Sequence, residues 1–535
     1  MLFPVLVRAA FRCSAIAPAT FVLLLAACGG SDDPPPPRVD LLSTPIARMV
    51  AVGTPVFIEA SLKPNFAPTG TLHVEVDDAS GAFVPATTLV QNADGSIVVS
   101  MSTSTHAAVG RHAGDLTLKL CADAACNTRQ PVGSVALPFE VQVLGAGSAW
   151  LGDHLTPLGA WNGVADWTMY QRDAAHTGHV PVRLDPNVFS TRWQFAAPVA
   201  APGAAWVLPG SLVATAAGRL YLAHDKLLQA RSEFDASLLW EYDFSGLDYP
   251  SVNPPAVVDG TVYVAAGQQS STFLYAFESG NGTLKFKAPM SSQWESYLPP
   301  TVGSQGVYTN AGTYGGMYAF GVAGDQLFFQ NTLPQTSMWT PAIDANGVYA
   351  YTGRLQVFDP LTGAELVSIA DPSFENYVYE IGGSPVLGTD SVFVANYANS
   401  ALNGGAIGNR LLRFQPSTAT IAWQFEGAYP STPAYADGVV YAANHRPLRL
   451  EARAEDDGAL LWSWVPPLAS DTGFVSEVLL TDNLALVSTA SAVYAVDLRT
   501  HRTVWSYPSP GRLALSSNGI LYIRGAATTV AINVK

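Results

Sequence analysis

The phrase "VVDGTVYVAAG" at Val257–Gly267 returns along the chain as "AIDANGVYAYTG", "AYADGVVYAAN" and "LSSNGILYIRG". A tight-turn dipeptide followed by a run of Val, Tyr and Ala reads as a hairpin turn and its second strand. Taking the aromatic or apolar residue of each such strand as a marker gives Tyr221, Tyr263, Tyr308, Tyr349, Phe393, Tyr441, Leu486 and Tyr522. The steps between them are 42, 45, 41, 44, 48, 45 and 36 residues. Eight units of this length suit the four-stranded blades of a propeller. This periodicity restricts the fold more than any other feature, because a unit of that size cannot bury its own apolar faces and must stack on copies of itself.

A second marker follows each first one. "LYAFESGNGTLKF", "LLRFQPSTATIAW" and "VYAVDLRTHRTVW" are strand–turn–strand units closing on an aromatic. That residue is Trp240, Trp423, Trp462 or Trp505 in some units, and Phe286, Phe328 or Leu366 stands there in others. One large ring per repeat packs between neighbouring sheets, so these rings are expected to be core. The eighth unit, "GILYIRGAATTVAINVK", has no closing Trp strand, whereas "NVFSTRWQF" around Trp193 supplies one ahead of the first unit. The expected architecture is all-β: an eight-bladed propeller over residues 166–535, closed by its N-terminal strand so that two sheet edges disappear.

Upstream the pattern changes. Residues 39–144 alternate apolar and polar, as in "TLHVEVDDASGAFVPATTLVQ", with about seven candidate strands. That spacing predicts a β-sandwich. The region resembles the immunoglobulin-like modules of bacterial surface lipoproteins, without the Cys…Trp…Cys spacing of true immunoglobulin domains. Residues 145–165 read as a linker. Residues 1–27 read as a secretory leader, with Arg8, Arg12 and an apolar run too short to span a bilayer. "LAAC" at its end resembles the bacterial lipobox, which implies lipid on Cys28, a polar Pro-rich tether over 28–38, and an outer-membrane address facing either the periplasm or the cell surface. Of the four cysteines, Cys13 leaves with the leader and Cys28 carries lipid, so Cys121 and Cys126 are expected to pair as a staple at a hairpin tip. A formal charge of −15 without a Lys/Arg run argues against a nucleic-acid partner.

"DWTMYQRDAAHTGHVPVRLDPNVFSTRW" together with the eight repeats resembles the quinoprotein-type, or PQQ-repeat, propeller superfamily over residues 166–535. The superfamily contains quinone-dependent alcohol dehydrogenases and also cofactor-free BamB-like lipoprotein scaffolds, so the resemblance implies an architecture rather than an activity. A dehydrogenase of this type uses a catalytic Asp, a Ca²⁺ site of several oxygens, a Trp floor and often adjacent cysteines. The sequence has no Cys-Cys pair, and Glu295, Glu380 and Glu477 each stand alone in their repeats, as solvated acids would. No catalytic or metal-ligating set is assigned. The expectation is a protein without a cofactor, the alternative being PQQ with calcium.

Other chemistries lack their motifs: no G-x-S-x-G and no H-E-x-x-H occurs. His176 and His179 beside Asp173 could suggest a metal, but a packing or turn role is favoured for them. The remaining candidates are the aromatics that precede the innermost strands: Trp206, Tyr249, Trp294, Tyr297, Trp339, Tyr377, Tyr379, Tyr429 and Phe474. Gathered at one channel mouth, they would form a binding rim for an envelope protein or glycan. Packed between blades, they would be core. Both readings stand at this point.

Overall fold

The computed structural model describes residues 35–85, 87–145, 155–196, 212–248, 250–293, 297–374, 383–400 and 405–535. The expected leader, Cys28, most of the expected tether, and Trp206, Tyr249, Trp294, Tyr377 and Tyr379 lie outside the described residues.

The repeat becomes eight sheets, seven of four strands and one of five, in which His179–Val180 adds parallel to the innermost strand Leu479–Thr481. Their innermost strands are Val213–Ala216, Ala256–Val258, Thr301–Val302, Ala342–Ile343, Val386–Gly388, Ala434–Ala436, Leu479–Thr481 and Arg512–Leu515, which number the blades one to eight. The "DG" phrases are the turns out of these strands. Asp259-Gly260 and Asp437-Gly438 both hold two consecutive positive φ angles, the geometry that matches the twist of the flanking strands. In blades one to seven the fourth strand carries a bulge at one equivalent place, and the closing residue just after it faces the third strand. Ala230 thus faces Trp240 and Ala495 faces Trp505. This register corrects one sequence expectation. In blade four Val357 faces Val367, so Val367 holds the ring position and Leu366 points to solvent.

Blade eight is completed by the N-terminal strand. Ser190–Ala196 pairs antiparallel with Thr528–Asn533, placing Trp193 opposite Ala531. Every blade thereby obtains at least four strands, and the seam joins strands from the two ends of the repeat region.

Residues 39–144 form two four-stranded sheets sharing one core that includes Ile58, Leu62, Val99, Leu118 and Val141. One sheet contains a parallel pair, Ile46–Ala51 with Arg129–Leu144. Cys121 and Cys126 are disulfide-bonded, with Cα atoms 4.9 Å apart. The bond closes the tip between Gly110–Cys121 and Arg129–Leu144, where Asp123 accepts three backbone N–H groups.

The two-sheet domain does not hang free. Ala51 N donates to Ser506 Oγ at 2.8 Å, Arg499 pairs with Glu59, and the Arg502 guanidinium lies over Phe57. Met49 and Leu144 enter the core shared by the seam of the propeller. The second half of the expected linker also docks: Leu158, Trp161 and Val164 pack on that core, and Trp161 N donates to Ser517 O.

Candidate functional site

Innermost strands of a propeller leave one backbone edge facing the channel, and those N–H groups need acceptors. Here the segment 166–182 supplies them. Thr215, Val257, Ile343, Leu387, Tyr435 and Leu480 are repeat equivalents in blades one, two, four, five, six and seven. Their N–H groups donate at 2.7–2.9 Å to the carbonyls of Trp167, Thr168, Ala174, Ala175, Thr177 and Gly178, in that order. Blade three is reached through His176 Nε2 and Thr301 Oγ1 at 3.2 Å, and blade eight through Ser517 N donating to Asp166 Oδ1. One segment therefore touches all eight blades from inside the channel. This is the physical content of the "DWTMYQRDAAHTGH" phrase.

At the end of the channel where the chain enters each innermost strand, eight repeat-equivalent positions form a ring. They are Leu212, Pro254, Pro299, Thr340, Ser384, Thr432, Glu477 and Arg512. The first three make an apolar arc and the other five a polar one. Tyr170, from the channel segment, sits against both. Its ring packs with Leu212 and Leu298, with the half-buried Met338 beside them. Its hydroxyl bonds Thr432 Oγ1 at 2.7 Å and Glu477 Oε1 at 3.2 Å. Thr340 N donates to Ser384 Oγ and Ser384 N to Thr432 Oγ1, so the hydroxyls form a chain along the polar arc.

Electrostatics make this cluster a brace. Burial drives the Tyr170 phenol well above its ordinary value, and the Glu477 carboxylate adds to that. Glu477 forms an ion pair with Arg512, which differs from the solvated acid expected from sequence. Burial alone would lower the Arg512 pKa, but the Glu477 carboxylate more than offsets it. His176 is buried and left-handed in φ, with Nδ1 against Pro385 O at 2.9 Å and Nε2 on Thr301. Burial lowers its pKa to about 4, so it is neutral at pH 7 with both nitrogens occupied. His179 faces Asp482 instead, and Asp173 bonds Thr177, so the three form no shared site.

Four of the proposed rim aromatics are core. Tyr297, Trp339, Tyr429 and Phe474 are all buried, between 0 and 6% exposed. Trp339 Nε1 donates to Thr336 O, Tyr429 Oη to Glu451, and Phe474 stacks on His445. The physical reason is the one that holds the closing rings: a short blade offers a wedge-shaped gap that a large ring fills. The other five rim candidates lie outside the described residues.

The described residues bring together no calcium set of the kind the dehydrogenase alternative would use. Hard Ca²⁺ takes six to eight oxygens, whereas the one described acid of the mouth ring, Glu477, is spent on Arg512. Among the described residues no group of three His, Cys, Asp or Glu could hold a metal ion.

Sequence reasoning missed Tyr170, Glu477–Arg512 and a buried seam carboxylate, Glu233. The first was legible only as part of the "DWTMYQRDAAHTGH" phrase, without side-chain direction. The pair is 35 residues apart on adjacent blades, which no local pattern reveals.

No curated protein sequence matches the chain. Among solved structures, BamB from Moraxella catarrhalis is similar at 15% identity, covering 65% of this chain and 98% of that one, with a TM-score of 0.49. Hsv2 from Kluyveromyces lactis is similar at 7% identity, covering 55% of this chain and 94% of that one, with a TM-score of 0.36. A family model described as outer membrane protein assembly factor BamB, built on PQQ-type repeats, matches residues 176–463 and 351–519. Those matches span more than half of the chain and run from blade one into blade eight, so the chain belongs to this BamB-type family of PQQ-repeat propellers.

Proposed function

We propose that this protein is a non-catalytic scaffold of the bacterial cell envelope that presents its channel mouth to a protein or carbohydrate partner. Lipid on Cys28 holds it at the outer membrane, and the two-sheet domain, read as immunoglobulin-like, is a rigid base beside blade seven. The observation that carries this reading is the channel segment 166–182. It bonds to all eight blades and uses the interior for bracing, so the surface left for recognition is the mouth around Met338, Glu477 and Arg512. The family membership supports an envelope setting. Trp206, Tyr249, Trp294, Tyr377 and Tyr379 precede innermost strands one, two, three and five in the sequence and are the candidates left for partner recognition.

A photo-reactive residue placed at Met338 in cells tests this, with Asn281 in the opposite turns as control. A discrete adduct from position 338 and none from 281 is the expected result. Calorimetry of the purified protein with PQQ and Ca²⁺ provides the opposing test. Calcium-dependent binding near one per chain would refute the scaffold reading.

A further inference from the structure

In blades one, two, three, five, six and eight the closing ring packs against the next blade's turn between its third and fourth strands. That turn is tight enough to demand glycine. A Cβ on Gly282 would stand 2.7 Å from the Trp240 ring, one on Gly324 2.5 Å from Phe286, and one on Gly363 2.6 Å from Phe328. Where glycine is absent, the ring still finds a partner: Trp462 stacks on His501 at 4.6 Å. Seven blades have an aromatic at this position. Blade four has Val367.

The volume of the missing ring has not closed up. Between blades four and five a cavity of 370 Å³ is lined by Val357, Val367, Leu387 and Val392. The facing turn of blade five has a different build, a short 3₁₀ stretch Pro416–Thr418 followed by Ala419 in the left-handed region. Val367 itself is half-buried, as expected of a floor residue below an opening. The size lies within the range of small-molecule sites.

The cavity's rim has a sign. Asp344 and Asp390 both line it, with no Lys, Arg or His among the lining residues. Asp344 is fixed by the N–H groups of Asn346 and Gly347 and meets Tyr349 Oη at 3.3 Å. Asp390 is held by Ser417 and by Gln415 Nε2 at 3.1 Å. Neither carboxylate is in a salt bridge among the described residues, and the cation behind the rim is Arg413, whose Nε donates to Ser391 Oγ at 2.7 Å and whose charge helps lower the Asp390 pKa. The Tyr349 phenol is raised by burial first, then by Asp344 and also by Asp390, so both negative charges act on the same corner. A cleft with an apolar wall of Val357, Val367, Leu387 and Val392, next to two fixed carboxylates, is complementary to a flat cation.

We propose that the cleft between blades four and five is a binding site for a small aromatic amine. Its ring takes the place of the missing closing side chain over Val357 and Val367, and its protonated amine faces Asp344 and Asp390. The site lies at the turn end of the blades, away from the channel mouth, and is independent of the scaffold reading.

Tryptamine is the probe. Calorimetry on the full chain at pH 7 is expected to show one site, weakened at least tenfold in Val367→Trp and several-fold in Asp390→Asn. Val367→Trp restores the ring that five other blades carry as Trp, and an unaltered near-UV spectrum checks its fold. Indole-3-propionate, with the same ring and the opposite charge, is expected not to bind. Equal tryptamine affinity in Val367→Trp, equal binding of the anion, or no tryptamine binding up to millimolar concentration would each overturn the proposal.

Discussion

Glu233 sits in the turn after Leu227–Ser232 of blade one and is fully buried. Its carboxylate accepts the Tyr522 hydroxyl at 2.8 Å and Asn518 Nδ2 at 2.7 Å, both on blade eight. Its backbone carbonyl accepts Trp193 Nε1 at 3.0 Å and Arg192 Nε at 3.1 Å from the closing strand. One residue therefore ties the first blade, the last blade and the N-terminal strand together. Burial raises its pKa from 4.5 to about 7; Asn518 and Tyr522 pull it down, and Asp166 adds a further upward push. Because the folded state holds this proton longer than the unfolded state, the stability it contributes is complete below pH 4.5 and is lost as pH climbs through about 7. The gap is worth roughly 3 kcal/mol. Glu233→Gln abolishes the titration but gives up one acceptor, which costs about 1 kcal/mol. The variant should be less stable than wild type at pH 4 and more stable at pH 8, by roughly 2 kcal/mol after that loss. Urea unfolding followed by tryptophan fluorescence, at half-unit intervals from pH 4 to pH 8, measures the difference. A wild-type-to-variant gap that does not change with pH would refute the seam assignment.

The opposite sign holds at His176. Its folded pKa lies near 4 rather than 6.5, so acid costs stability from pH 6.5 downward, about 3 kcal/mol in all. His176→Asn, which tolerates the left-handed φ, should lose that acid slope in the same unfolding series. Removing the staple with Cys121→Ser and Cys126→Ser should cost about 2 kcal/mol, because the closed loop is short. The loss should appear in hydrogen exchange across 39–144 and leave the propeller's exchange unchanged.

What could be read without the structure was everything that repeats. Blade number, the strand that closes the ring, the staple and the core role of the tryptophans are all written locally, as turn dipeptides and period-two runs whose geometry depends on near neighbours. Even there a bulge displaced one reading, exchanging Leu366 for Val367, because the register of a bulged strand depends on its partner. The site was not legible in the same way. Whether Trp339 or Tyr429 faces water or a neighbouring blade depends on how blades wedge together. Glu477 and Arg512, or Glu233 and Tyr522, meet only because the ring closes. The cleft between blades four and five exists because one ring is missing where its seven counterparts are present, and a missing contact has no sequence signal until the packing around it is known. The amino-acid order by itself determined the repeating unit and its count. The tertiary structure decided which side chains those units bring face to face, since long-range contacts depend on the closure of the whole ring and not on any one segment.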